Sequence, residues 1–295
     1  MTIAANRDLV VIEVTGPDRV GYLDNVTTQQ FSQLPVGAVA GALVLDGKGA
    51  PQAVAWALVG DEAVTLLAPP PAADHIMEVV ARRTFLAQVS FSRPDGTSTS
   101  LAGDDLDAAL AAAGIDVAMD SWVVHGRVVV ARHAFGAEVV GVPVERIDEL
   151  GLDPAPTVVD GDELSILSGE PRWGHEVVAG RLPEEYGLLA THVHMAKGCY
   201  PGQEPIAHMW MLGRPRRRLA LVDVGEGAPP DAVTARAAGH GFAWVAPDTE
   251  PGEELADDVV VTGFVGGDRD VVGWTPAQTR RRDRGGSVDL PRRAP

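Results

Sequence analysis

At 295 residues the chain is long enough for a substantial core and for more than one domain, and a hydrophobic fraction of 45% is that of a globular protein. A formal net charge of −17 argues against nucleic-acid or membrane-surface partners, which need a basic face. With no apolar run of about eighteen residues, no leader pattern in Met1 to Asp8 and a single cysteine, a soluble cytoplasmic protein without disulfides is expected.

Leu9 to Val14 is a short β-type run, and Pro17 opens a helix with Val20 and Leu23 on its inner face. Gly41 to Leu45 reads as a strand entering the turn Asp46-Gly47-Lys48-Gly49, with Gln52 to Val59 returning as the second arm of a hairpin. After Asp61-Glu62, Ala63 to Leu67 is a further strand. Pro69-Pro70-Pro71 is expected to break the pattern before an amphipathic helix over Ala72 to Leu86, with Ile76, Val79, Val80 and Arg83 at helical spacing. Strands and a helix recur from Ala87 to Val144, and Asp160 to Ser168 reads as a helix ended by Gly169-Glu170-Pro171. The pattern is α+β with mainly antiparallel strands.

From Leu219 the chain changes character. Leu219 to Val224, Gly241 to Val245, Val259 to Val265 and Val271 to Trp274 are short strands between Gly, Pro and Asp turns, the pattern of a small antiparallel barrel or sandwich. Residues 276 to 295 hold six arginines against Asp283 and Asp289, a net of +4, so residues 1 to 275 carry −21. That tail is poor in apolar residues and is expected to be disordered.

The stretch around Cys199 is the most informative. It holds Lys197, one of two lysines in the chain with Lys48; every other cation among the 24 Lys and Arg residues is arginine. Arginine supplies a charge, whereas a lysine offers a compact ammonium whose pKa can shift. Tyr200-Pro201-Gly202-Gln203 is a type II turn signal, since Pro fixes φ at its second position and Gly accepts the positive φ of its third. If Lys197 to Cys199 is extended, ammonium and thiol share a face, which would favour the thiolate. Pro205 then suits the start of a short helix with Ile206, Met209 and Trp210 on one face and Gly213 at its end. His175, His192, His194 and His208 lie nearby in sequence. On an extended strand His192 and His194 would share a face, but the spacing matches no closed zinc motif and no bound metal is expected.

Lys197-Gly198-Cys199-Tyr200-Pro201-Gly202-Gln203-Glu204 resembles the K-G-C-Y-x-G-Q-E signature of the YgfZ family, relatives of the glycine-cleavage T-protein, an aminomethyltransferase. Thr15-Gly16-Pro17-Asp18, Pro171-Arg172-Trp173-Gly174, Pro183 to Leu188 and Leu212 to Pro215 resemble further landmarks in the expected order, over roughly residues 8 to 275. The resemblance implies a two-lobed α+β body over residues 1 to 215, a C-terminal β-barrel over 216 to 275, the tail beyond, and a central cavity for a small molecule. It implies tetrahydrofolate as cofactor, possible iron-sulfur protein clients and, through them, an effect on tRNA modification. Cys199 and Lys197 would be the reactive pair. Tyr200, Gln203, Glu204, Arg172, Trp173 and His194 would line the cofactor site. The resemblance also puts the Asp46 to Gly49 turn near the cavity, although a solvated lysine on a hairpin turn accounts for Lys48 equally well.

The chain departs from the pattern before Pro171. Relatives carry R-x-E-x-G there, and the glutamate holds the pterin ring in the aminomethyltransferases; here Ser165 and Leu167 stand at those places. Leucine accepts no hydrogen bond, so folate binding is expected to be weak. Two alternatives to the iron-sulfur role remain: a diverged member whose cavity takes another small molecule, and a folate-dependent one-carbon transferase.

Overall fold

A computed structural model of the protein describes residues 1–212 and 215–267. The expected strand at Val271 to Trp274, the tail and the helix end at Gly213 lie outside the described residues.

The first sheet contains Val39–Leu45, Pro51–Val59, Ala63–Ala68, Val10–Thr15 and Ser90–Ser92, in that spatial order and antiparallel throughout. The expected hairpins form because Gly49, at φ +81, closes the Asp46 turn while Asp46 Oδ1 accepts the Lys48 and Ala50 amides at 2.8 and 2.9 Å. On one face of this sheet Ile12, Val14, Ala57 and Leu66 meet Leu23 of the helix Arg19–Val26 and Ile76 of a second helix. That second helix corrects the reading of the prolines. It begins at Pro70, so the prolines occupy its first turn, where a missing N–H costs nothing, and it stops at Arg83.

The second sheet runs Thr157–Val158, Ile3–Ala5, Ser98–Ala102, Gly136–Val140, Val128–His133 and Trp122–His125, with only the first pair parallel. Ile3–Ala5 therefore joins it before the chain crosses to the first sheet at Val10. The two sheets meet through Leu9, Val11, Trp56, Leu58, Leu67 and Ala131, all buried. The helix Gly161–Ser168 forms as expected: Asp160 caps it by accepting the Glu163 amide at 2.8 Å, and Gly169 ends it at φ +75.

The third sheet contains Ala235–Ala237, His240–Val245, Arg218–Val224, Val259–Phe264 and Glu254–Ala256, all antiparallel. Three of the four expected C-terminal strands are here, and among the described residues they form an open sheet and no closed barrel. Its two outer strands are three residues each and, among the described residues, have one partner apiece and do not pair with each other. Gly187 fixes this sheet to the rest, since a Cβ there would lie 2.1 Å from the Val265 carbonyl oxygen.

Candidate functional site

The Cys199 stretch is a clamped loop. It leaves the short helix Leu189–His192, and the His194 amide bonds to the Thr28 oxygen at 3.0 Å. The Lys197 amide then bonds back to the His194 oxygen at 3.3 Å. Residues 194 to 197 are thus a turn and not an extended stretch, and His192 ends a helix, so the expected shared face of His192 and His194 is not formed as strand geometry. The Lys197 ammonium enters the C-terminal end of the helix Arg19–Val26. It donates to the main-chain oxygens of Asp24, Thr27 (2.6 Å) and Gln29 (2.9 Å) and sits 4.7 Å from the Tyr200 ring centre. Its three hydrogens are all engaged, and burial lowers its pKa to about 8.

The predicted type II turn is present. Gly202 has φ +80 and the Gln203 amide bonds to the Tyr200 oxygen at 3.4 Å. Gln203 Oε1 also accepts the Tyr200 amide at 3.3 Å, and burial raises the Tyr200 phenol to about 12. This turn lies against the Asp46 hairpin. A Cβ on Gly202 would come within 2.4 Å of the Asp46 oxygen, and one on Gly49 within 3.2 Å of the Gly202 oxygen. Two glycine turns therefore touch main chain to main chain. Cys199 and Glu204 are exposed, and the helix Gln203–Leu212 buries Ile206 and Trp210 behind them.

The other residues predicted for the cofactor site are dispersed. Arg172 forms a paired contact with Glu176 (3.1 and 2.8 Å) and a further one with Asp162 at 2.9 Å, which together raise its pKa, the Glu176 hydrogen bond first. Trp173 lines a separate interior cavity. His194 is buried, which lowers its pKa, and its Nδ1 has no partner among the described residues. No group of three or more His, Cys, Asp or Glu residues among the described residues is placed to hold a metal.

A polar centre that the sequence reading missed lies where the first two sheets meet. Glu170 is its hub: the Arg7 guanidinium and the Trp56 indole N–H (2.9 Å) donate to its two oxygens. Burial disfavours the Glu170 charge, but Arg7, His133 and the indole outweigh burial and hold its pKa at about 2. The Trp56 ring stacks on His133 at 4.1 Å and 17°, and the His192 ring lies 4.6 Å from it. Glu138 accepts the Ser100 hydroxyl at 2.7 Å and lies 3.8 Å from Arg7 and 3.5 Å from His133. Burial lowers His192 to about 4, so it is neutral near pH 7. Its ring needs Gly41, where a Cβ would lie 2.5 Å from it. Leu167 instead packs beside Ile3, Ala5 and Leu164, so the carboxylate that reaches the interior is Glu170, three residues further along.

These residues do not fit a pterin at the centre. Both Glu170 oxygens are already engaged by the protein, one by Arg7 and the other by the Trp56 indole. The cavity lined by Arg7, Trp56, Glu170, Trp173 and His192 measures about 20 Å³, room for roughly one water molecule.

Neither a scan of protein-family models nor a search of curated proteins returns a match. Among solved structures the chain is similar to the glycine cleavage system aminomethyltransferase T from Bartonella henselae, with a TM-score of 0.68 and 15% identity over 88% of this chain and 84% of that one. At that identity the likeness shows the fold: the chain has the α+β fold of aminomethyltransferase T.

Proposed function

We propose that the chain is a diverged YgfZ-like protein on the aminomethyltransferase T fold, acting through Cys199 in the upkeep of iron-sulfur enzymes. The observation that carries the reading is the clamped turn. An exposed thiol precedes a turn whose glycine packs on another turn's glycine, with Lys197 bound to three carbonyls behind it. Such an arrangement fixes the loop that presents a nucleophile or soft ligand to a partner. Lys197 is then a positioning residue. Aminomethyl transfer at the centre is disfavoured because Glu170 is engaged by Arg7 and Trp56.

The test is complementation. In cells lacking their own YgfZ-like protein, the chain is expected to restore iron-sulfur enzyme activity, and Cys199→Ser is expected not to, at equal protein level. Restoration by Cys199→Ser would overturn the role of the thiol. A raised pH midpoint of Cys199 alkylation in Lys197→Met would add an electrostatic role to the positioning one.

A further inference from the structure

The helix that opens at Pro70 changes geometry as it ends. It passes through a π turn at Ile76–Val80 and a 3-10 turn at Ala81–Arg83, and the chain reverses over residues 84 to 87, where the Ala87 amide donates to the Thr84 oxygen at 2.6 Å. At the tip Phe85 has φ +23, a backbone region that a bulky side chain rarely adopts. Phe85 is 91% exposed and Leu86 98%, and Arg82 and Arg83 beside them are exposed too. Strain here holds an aromatic and a leucine out in water, next to two guanidiniums, on a chain whose net charge is −17.

The segment leads into Ser90–Ser92, an outer strand of the first sheet, paired only with Val10–Thr15 among the described residues. Past that strand, residues 93 to 98 form one wall of a groove of about 360 Å³. Its buried side chains include Leu9, Val11 and Val144, and Asp8, Asp95 and Glu145 are exposed at it. An apolar tip flanked by arginines thus comes before the edge strand, and after it comes a groove with buried Leu9, Val11 and Val144 and with Asp8, Asp95, Glu145 and Arg93 exposed along it, the arginine already paired with Asp74 at 3.1 Å.

We propose that tip and groove are the two halves of one self-complementary interface, and that the occupant of the groove is a second copy of this chain. Two Ser90–Ser92 edges pairing antiparallel about a twofold axis bring the residues before the strand in one copy beside the residues after it in the other. Each Phe85-Leu86 tip then enters the partner's groove, and Arg82 and Arg83 face Asp95 and Glu145. The bare edge gains main-chain hydrogen bonds, and the charges are complementary where two acidic bodies would otherwise repel.

Sedimentation equilibrium tests this on the full chain, with circular dichroism confirming that each variant folds. Wild type is expected at twice 31.0 kDa, and the double variant Phe85→Ser, Leu86→Ser at 31.0 kDa. Arg82→Glu, Arg83→Glu and, separately, Asp95→Arg, Glu145→Arg are each expected to weaken association by at least about tenfold, because each puts like charges together. Mixing those two variants is expected to restore the dimer, since both contacts of the mixed pair regain opposite charges. Wild type that stays at 31.0 kDa, a dimer unaffected at Phe85 and Leu86, or a mixture that fails to associate would overturn the proposal.

Discussion

Glu170 shows what one side chain contributes when its partners come from distant parts of the chain. Arg7 lies 163 positions away and Trp56 lies 114 away, and the three meet only because two sheets stack there. Removing the carboxylate leaves a guanidinium buried without its closest counter-ion, so Glu170→Gln is expected to cost about 3–5 kcal/mol in urea unfolding near pH 7. The sign of the pH dependence is set by the depressed carboxyl. Because the native pKa is lowered from 4.5 to about 2, the stabilisation is complete above pH 4.5 and disappears as pH falls towards 2. The gap between wild type and Glu170→Gln should therefore close across that window, and a gap that persists at pH 2 would assign the stabilisation to something other than the charge. Sequence alone singles out Cys199, because its rarity and its turn are local features. It misses Glu170, whose neighbours Gly169 and Pro171 read only as the end of a helix, and it places the missing carboxylate at Leu167. An ion pair closed over 163 residues leaves no periodicity or spacing to read.

At the level of elements, hairpins and caps are legible because they are written in adjacent residues. Asp160 and Gly169 bracket one helix, and the Asp46 and Pro201-Gly202 turns stand where the sequence puts them. What is not legible is that these two turns touch, because contact between turns on separate elements depends on packing. Gly202→Ala tests the contact. The variant must place a side chain at φ +80, and its Cβ would meet the Asp46 oxygen at 2.4 Å, main chain that cannot swing aside. A loss of about 1–3 kcal/mol is expected from the backbone conformation, with more from the displaced hairpin. Amide exchange should report it locally, with faster exchange at Lys48 and Ala50, whose amides are held by Asp46. Unchanged protection there would mean that the two turns are neighbours without mechanical coupling. The helix after Pro69 is misjudged at its start for a related reason: prolines that break a pattern also suit a helix's first turn, and this helix begins at Pro70 and not at Ala72.

For the whole molecule, the chain has the fold of aminomethyltransferase T, and among the described residues the junction of the first two sheets is filled by a side chain. The residue responsible is Trp56. It lies on the strand Pro51–Val59 at the junction of the two sheets and is 5% exposed, stacked on His133 with its indole N–H on Glu170. A planar ring that donates N–H to a buried carboxylate is the interaction a pterin would need, so the protein already satisfies it internally. Reduced folate is therefore expected to show no tight binding to wild type by calorimetry under anaerobic conditions. Trp56→Ala removes the ring and the donor together, at an expected cost of about 3–5 kcal/mol, and leaves a cavity beside Glu170. If the variant stays folded, a small planar N–H donor such as indole should bind there and raise its thermal midpoint, with no such effect on wild type. Two results would contradict this account. Tight folate binding by wild type would mean that the ligand displaces Trp56 or binds elsewhere, and a folded Trp56→Ala indifferent to indole would mean that the sheets close over the vacated space.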